Sequence, residues 1–205
     1  MLPVRALFVD IGGVLLNDGW GSSIRARAAA QFGLDLEALN ARHAQVFELL
    51  ELGKLTLEQY LRLVAFQEPR PYSVENFRQF IFAQSEPQLG MLDMIRSIKA
   101  VHGLRVIALS NDSRELATFR INAFMLGAFV DAFVVSSFVH LRKPDPDVYR
   151  LALDLAQVRP QESLYLEDRA LFVEVAAGLG IRSLWHRNEQ QTRGALAECG
   201  LHTEP

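Results

Sequence analysis

The 205-residue sequence predicts an α/β fold, a parallel sheet with helices on both faces that is interrupted early by an all-helical insert. Three observations carry this. Short apolar runs of strand length recur with helical segments between them, as in right-handed β–α–β crossovers. The first run, ending in Leu7-Phe8-Val9, is apolar on both faces, which suits a central strand of a parallel sheet. From Trp20 to about Gln84 the alternation stops and only helical spacing remains.

Residues 4–10 read as the first strand, delivering Asp10 at its end, where Gly12 and Gly13 impose a tight turn. Four helices follow. Ser22 to Ala30 is rich in helix formers and stops at Gly33. Asp35 can cap a second helix, with apolar spacing of three and four from Leu36 to Leu50, until Gly53. Thr56, with Gln59 at the capping-box position, opens a third, and Ser73 opens a fourth through Phe77 and Ile81. Past Pro87 the pattern is regular. Strands at 104–109, 132–135, 163–166 and 182–185 alternate with helices at 88–101, 113–124, 146–156, 173–178 and 189–198. The expected division is a Rossmann-like core of residues 1–16 and 86–205, with a helical cap at 17–85.

Composition narrows the function classes. Half the residues are apolar and 22% charged, ordinary for a globular domain, and the net charge of −3 gives no electrostatic reason to expect a nucleic-acid partner. A single cysteine, Cys199, rules out an intrachain disulfide framework and fits a reducing compartment. No apolar stretch reaches membrane-spanning length and no signal-type segment opens the sequence, so the expectation is a cytoplasmic protein without a membrane partner. Nothing in the sequence reports the oligomeric state.

The polar residues at strand ends carry the chemistry: Asp10, Ser110 with Asn111, and Glu167 with Asp168. In a parallel sheet these share one edge, where open α/β sheets bind ligands. Lys143, after the third strand, joins the same edge. Three carboxylates converging on one crevice repel unless a cation sits among them, and an all-oxygen set suits Mg²⁺. A serine hydroxyl, backbone N–H groups and a lysine would hold phosphoryl oxygens, leaving one carboxylate to attack phosphorus.

This constellation resembles the haloacid dehalogenase superfamily, most of whose members are Mg²⁺-dependent phosphatases. Asp10-Ile11-Gly12-Gly13-Val14-Leu15 matches the superfamily's first motif except at Gly12. Ser110 matches the second, Lys143-Pro144 the third and Glu167-Asp168 the fourth, in the expected order. Gly53-Lys54-Leu55-Thr56-Leu57-Glu58 and Leu141-Arg142-Lys143-Pro144-Asp145 further resemble the branch of bacterial glucose-1-phosphate phosphatases and epoxide hydrolase N-terminal phosphatase domains. The resemblance implies a phosphomonoesterase acting on a small phosphorylated metabolite through an aspartyl-phosphate. It makes Asp10 the nucleophile and implies Asp10, the Gly12 carbonyl, Glu167 and Asp168 as metal ligands, with Glu167 acting directly or through water. Ser110, Asn111 and Lys143 would bind the phosphoryl group.

Two departures qualify this. The superfamily's second aspartate, which protonates the leaving oxygen and later activates water, is Gly12 here. In the run Arg169-Ala170-Leu171-Phe172, Leu171 and Phe172 replace polar residues that tie the fourth motif to the metal site in many relatives. The rival readings are a weakly active or non-catalytic phospho-ligand-binding protein and a 2-haloacid dehalogenase. Dehalogenases also lack the second aspartate, but they generally lack the acidic pair as well. Asp18 is a candidate replacement acid, and Arg25, Arg27 and Arg42 could reach substrate from the insert. Trp20 reads as a staple between insert and core, and the five histidines show no ligand spacing.

Overall fold

The computed structural model describes residues 2–204. Five parallel strands lie in the order β3-β2-β1-β4-β5: β1 (Ala6–Val9), β2 (Arg105–Ser110), β3 (Ala132–Val135), β4 (Ser163–Glu167) and β5 (Arg182–Trp185). β1 is central and fully buried, as its two-sided apolar sequence requires. Alternate residues feed opposite layers. Leu7, Val9, Val106, Ala108, Leu164 and Leu166 pack against α5 (Leu89–His102) and α10 (Glu189–Glu198). Ala6, Phe8, Ile107, Leu109 and Tyr165 pack against α8 (Pro146–Ala156) and α9 (Ala170–Gly178).

Between β1 and α5 lie α1 (Ser22–Phe32), α2 (Leu36–Glu51), α3 (Leu57–Val64) and α4 (Val74–Ala83). Their starts are those the sequence marks. Asp35 accepts from Ala38 N at 3.1 Å, and Thr56 and Ser73 form capping boxes with Gln59 and Asn76. These helices enclose a core of their own around Tyr60, Leu61 and Phe77, which Leu116 of α6 (Arg114–Ala123) enters from the sheet domain. A one-turn helix, α7 (Ser136–Val139), follows β3 directly and carries no signal in the sequence.

The insert is tied down at several points. Arg142 bonds Glu48 and Glu51 of α2, each at 2.7 Å, and Glu115 of α6 accepts the Leu57 N–H at 3.0 Å. Gly53 has a practical reason to be glycine. Its φ is +67°, and a Cβ there would come within 2.5 Å of the Ser137 carbonyl in α7. The stretch that reads as helix capping thus also sets how closely the insert approaches the core.

Candidate active site

β1, β2 and β4 are neighbours in register, so their carboxyl ends deliver Asp10, Ser110 and Glu167 to one edge. Lys143 arrives from the loop between α7 and α8. Its ammonium is 1% exposed and lies 3.0 Å from Asp10 Oδ2 and 2.6 Å from Glu167 Oε2. Carboxylate oxygens of Asp10, Glu167 and Asp168 stand within 4.8 Å of one another. Among the described residues this is the one such acidic or metal-ligating cluster, and no histidine belongs to one.

The Lys143 ammonium thus pairs with two of the three acids, and the third, Asp168, feels the charge of Arg169 as well. Burial, and then the charges of Glu167 and Asp168, push the Asp10 carboxyl up to about 8 against the pull of Lys143. Burial and the adjacent Glu167 push Asp168 up to about 7. Burial works against Glu167 as well, but Lys143 and hydrogen bonds with Asp168, Lys143 and Tyr165 hold it at about 2. Lys143 itself pays a desolvation cost that the two carboxylates outweigh, so its pKa is raised. Lys143 contacts both Asp10 and Glu167, and Arg169 pulls on Asp168, yet burial and mutual repulsion still leave the Asp10 and Asp168 carboxyls raised.

The donor set fits a small divalent ion on this chain's own evidence of crowding. Asp168 Oδ1 is buried with no hydrogen-bond partner among the described residues. Gly13, at φ +79°, lets Asp168 come close, since a Cβ there would stand 2.1 Å from Asp168 Oδ2. Glu167 is less available. Oε2 accepts from Lys143 and the Tyr165 hydroxyl, and Oε1 accepts from Arg169 N at 3.0 Å.

The other expected site residues fall as follows. Ser110 is buried at the end of β2 and lines a cavity of about 320 Å³ shared with Asp10, Gly12, Asn111 and Lys143. The Asn111 side chain is committed to the Lys143 backbone, donating to its carbonyl and accepting from its N–H, both at 2.9 Å. That double bond fixes where Lys143 stands. Phe172 replaces a polar tie with an aromatic one, as the Lys143 ammonium lies 5.3 Å from its ring centroid. Asp18 lines the cavity and stands 3.6 Å from Arg169.

Sequence reasoning missed Asp112 and Arg120. Arg120 is 2% exposed, lies 3.2 Å from Asp112 Oδ2 and donates to the Asn17 carbonyl. Burial pushes Asp112 up to about 6, against the pull of Arg120. This pair ties the β2–α6 turn to the loop after Asp10, beside Gly12. Its sole signal was an arginine one turn beyond Leu116 on the buried stripe of α6.

The insert closes the far side of the cavity. Trp20 reads in the sequence as a staple between insert and core, but its contacts fall within the insert: it meets Phe77 edge-on at 5.9 Å, donates from Nε1 to Tyr60 Oη at 2.8 Å, and lines the cavity. Tyr60 Oη lies 2.7 Å from His43 Nδ1. Since Oη already accepts from Trp20, the Tyr60 hydroxyl proton is satisfied by donating to Nδ1, which puts the His43 proton on Nε2, free of any partner among the described residues. Burial and nearby Arg25 lower the His43 pKa to about 4. The unfolded chain takes up this proton near pH 6.5 and the folded protein does not, so this contribution to stability falls as pH drops from about 6.5 to about 4. Melting temperatures measured across that window are expected to fall more steeply for the natural protein than for His43→Gln; equal slopes would show that His43 does not resist protonation.

The chain has relatives among known proteins, in sequence and in fold. A phosphorylated carbohydrates phosphatase of Thermotoga maritima is 27% identical over 137 residues, 62% of this chain and 63% of that one. The structure of a Bacteroides thetaiotaomicron family enzyme in complex with magnesium and inorganic phosphate superposes with a TM-score of 0.74 at 19% identity, covering 90% of this chain and 94% of that one. An L-2-haloacid dehalogenase from Xanthobacter autotrophicus shares the fold more distantly, at TM-score 0.65 and 16% identity over 97% of this chain and 84% of that one. The family model for haloacid dehalogenase-like hydrolases matches residues 4–180, the span that holds β1, the insert and all the strand-end acids, and the chain belongs to that family of hydrolases.

Proposed function

We propose that the protein is a Mg²⁺-dependent phosphomonoesterase acting on a small phosphorylated metabolite, and that residues 17–85 cap a core of 1–16 and 86–205. The observation that carries this reading is the crowding of Asp10, Glu167 and Asp168 within 4.8 Å of one another, with Asp10 lining the same cavity as Ser110 and Lys143. A dehalogenase needs no such acid cluster, which sets the phosphatase reading ahead of it.

Asp10 and Asp168, with the Gly12 carbonyl, would hold the metal, and Glu167, occupied by Lys143, Tyr165 and Arg169 N, would act through water. Bound Mg²⁺ would neutralise carboxylate and phosphoryl charge together. Lys143 and Ser110 would bind phosphoryl oxygens, with Asn111 positioning Lys143. An Asp10 oxygen attacks phosphorus as the bond from phosphorus to the leaving oxygen breaks, giving an aspartyl-phosphate and an alkoxide or phenoxide. Gly12 carries no acid, so that anion takes its proton from water. A water molecule then attacks the aspartyl-phosphate, returning the Asp10 carboxylate, inorganic phosphate and a proton.

Turnover of an aryl phosphate is expected to require Mg²⁺, to vanish in excess chelator and to return when Mg²⁺ is restored. Full turnover in chelator would remove the metal from the mechanism. Tight binding of phosphate esters with no turnover on any of a panel of sugar, nucleotide and aryl phosphates would instead favour the non-catalytic reading, which the bare Gly12 position motivates.

A further inference from the structure

Three of the four cations that line the cavity already face a carboxylate. Lys143 meets Asp10 and Glu167, Arg120 meets Asp112, and Arg169 stands 3.6 Å from Asp18. Arg25 of α1 is different. Its Nε donates to Asn40 Oδ1 at 2.7 Å and its Nη1 to the Trp20 carbonyl at 2.8 Å, both neutral oxygens. Among the described residues no carboxylate lies within ion-pair distance of it, and Nη2 makes no hydrogen bond to a described residue. Asp18, the carboxylate whose charge reaches it after the Tyr60 hydroxyl, stands 3.6 Å from Arg169.

This guanidinium is half-buried and oriented by two hydrogen bonds, so its remaining donor is aimed at little entropic cost. Beside it on the cavity wall, the hydrogen-bond chain from Trp20 through Tyr60 leaves the neutral His43 ring with one donor, Nε2–H. Neither residue is needed for the chemistry at Asp10. Both belong to the insert, on the side of the cavity that the departing part of a substrate would occupy. The insert also lines the cavity with Trp20, Phe47, Leu50 and Leu57, and its one carboxylate there besides Asp18, Glu51, is engaged by Arg142 at 2.7 Å.

We infer that Arg25, assisted by His43, is a specificity-determining site for a second acidic group on the leaving portion of the substrate. The preferred substrates are then phosphomonoesters of compact alcohols or phenols that carry a carboxylate or a second phosphate, joined to the ester by an apolar spacer. A substrate without that group dehydrates Arg25 and offers it no partner, a penalty comparable to losing a charge-assisted hydrogen bond. Arg27 and Arg42, the other insert arginines that the sequence offers as substrate contacts, are exposed and do not line the cavity.

The inference rests on the phosphatase reading, and the test separates the two. With Mg²⁺ present, kcat/KM is compared for meta-carboxyphenyl phosphate and its neutral meta-carbamoyl analogue, and a phenylene bisphosphate tells a second phosphate from a carboxylate. The expected preference for one or both acidic esters is about 10- to 100-fold in the natural protein. It should collapse toward unity in Arg25→Gln and persist in Arg27→Gln. Turnover of all the esters without any acidic preference, or a preference that survives Arg25→Gln, overturns the inference while the phosphatase reading stands. If no ester is turned over, the phosphatase reading fails, and calorimetric titration of the same esters decides the site. Tighter binding of an acidic ester that Arg25→Gln abolishes supports it; equal binding of acidic and neutral esters overturns it.

Discussion

Asp10→Asn is expected to lower turnover by at least about 10⁴-fold, because it removes the nucleophile and a metal ligand while leaving the cavity nearly unchanged in shape. Stability should change far less. Asp10 Oδ1 accepts the Ile11 N–H at 2.7 Å, and an amide oxygen can keep that bond. The amide nitrogen would face the Lys143 ammonium where Oδ2 now stands at 3.0 Å, costing one charge-assisted contact. Against this, one of three crowded acids is neutralised and Lys143 retains Glu167 at 2.6 Å. These effects oppose one another, so the net change should stay within about 2 kcal/mol. Single-turnover kinetics and thermal melting on the same preparation check both halves. A variant that keeps more than about a tenth of natural turnover would show that the attacking group is elsewhere.

Gly12→Asp should have the second-largest effect, in the opposite direction. A positioned acid–base group contributes roughly 10²–10⁴ in rate, and the natural chain has none at this position. The turn tolerates the change. The nearest atoms to a Cβ at residue 12 are Arg120 Nη1, the Asn17 carbonyl and Asp18 Cα, all at 3.9 Å, and Gly12 is not in the left-handed region. Arg120 also tilts the outcome, because a guanidinium so close favours an ionised carboxylate. The new group should therefore serve better as a base for hydrolysing the aspartyl-phosphate than as an acid for the leaving group. In the natural protein, rates should depend steeply on leaving-group acidity, and phosphoenzyme should accumulate as an initial burst. Gly12→Asp should shrink the burst first and flatten the leaving-group dependence less. A natural enzyme that shows neither a burst nor a leaving-group dependence already has a proton-transfer residue, and Asp18 and Asp112, both on the cavity wall, are the groups to mutate next.

The sequence by itself determined the fold class and the chemistry-bearing strand ends, while the strand order came from the structure. Strand alternation places acids after β1 and β4, and parallel strands can only bring them to one edge; Asp35, Thr56 and Ser73 announce their helices because capping is local. What it could not determine depends on groups far apart in the chain. Asn111 reads as a phosphoryl ligand from its place beside Ser110, yet its side chain is spent on the backbone of a residue 32 positions away. Arg120 reads as one more helix arginine until burial pairs it with Asp112 and sets it beside Gly12. Arg25 is indistinguishable in sequence from Arg27; only the packing of α1 against α2 puts one on the cavity wall and the other in solvent. Hydrophobic period and capping are properties of a few consecutive residues, whereas which charge is left without a partner is a property of the whole enclosed site, and only the tertiary structure decides it.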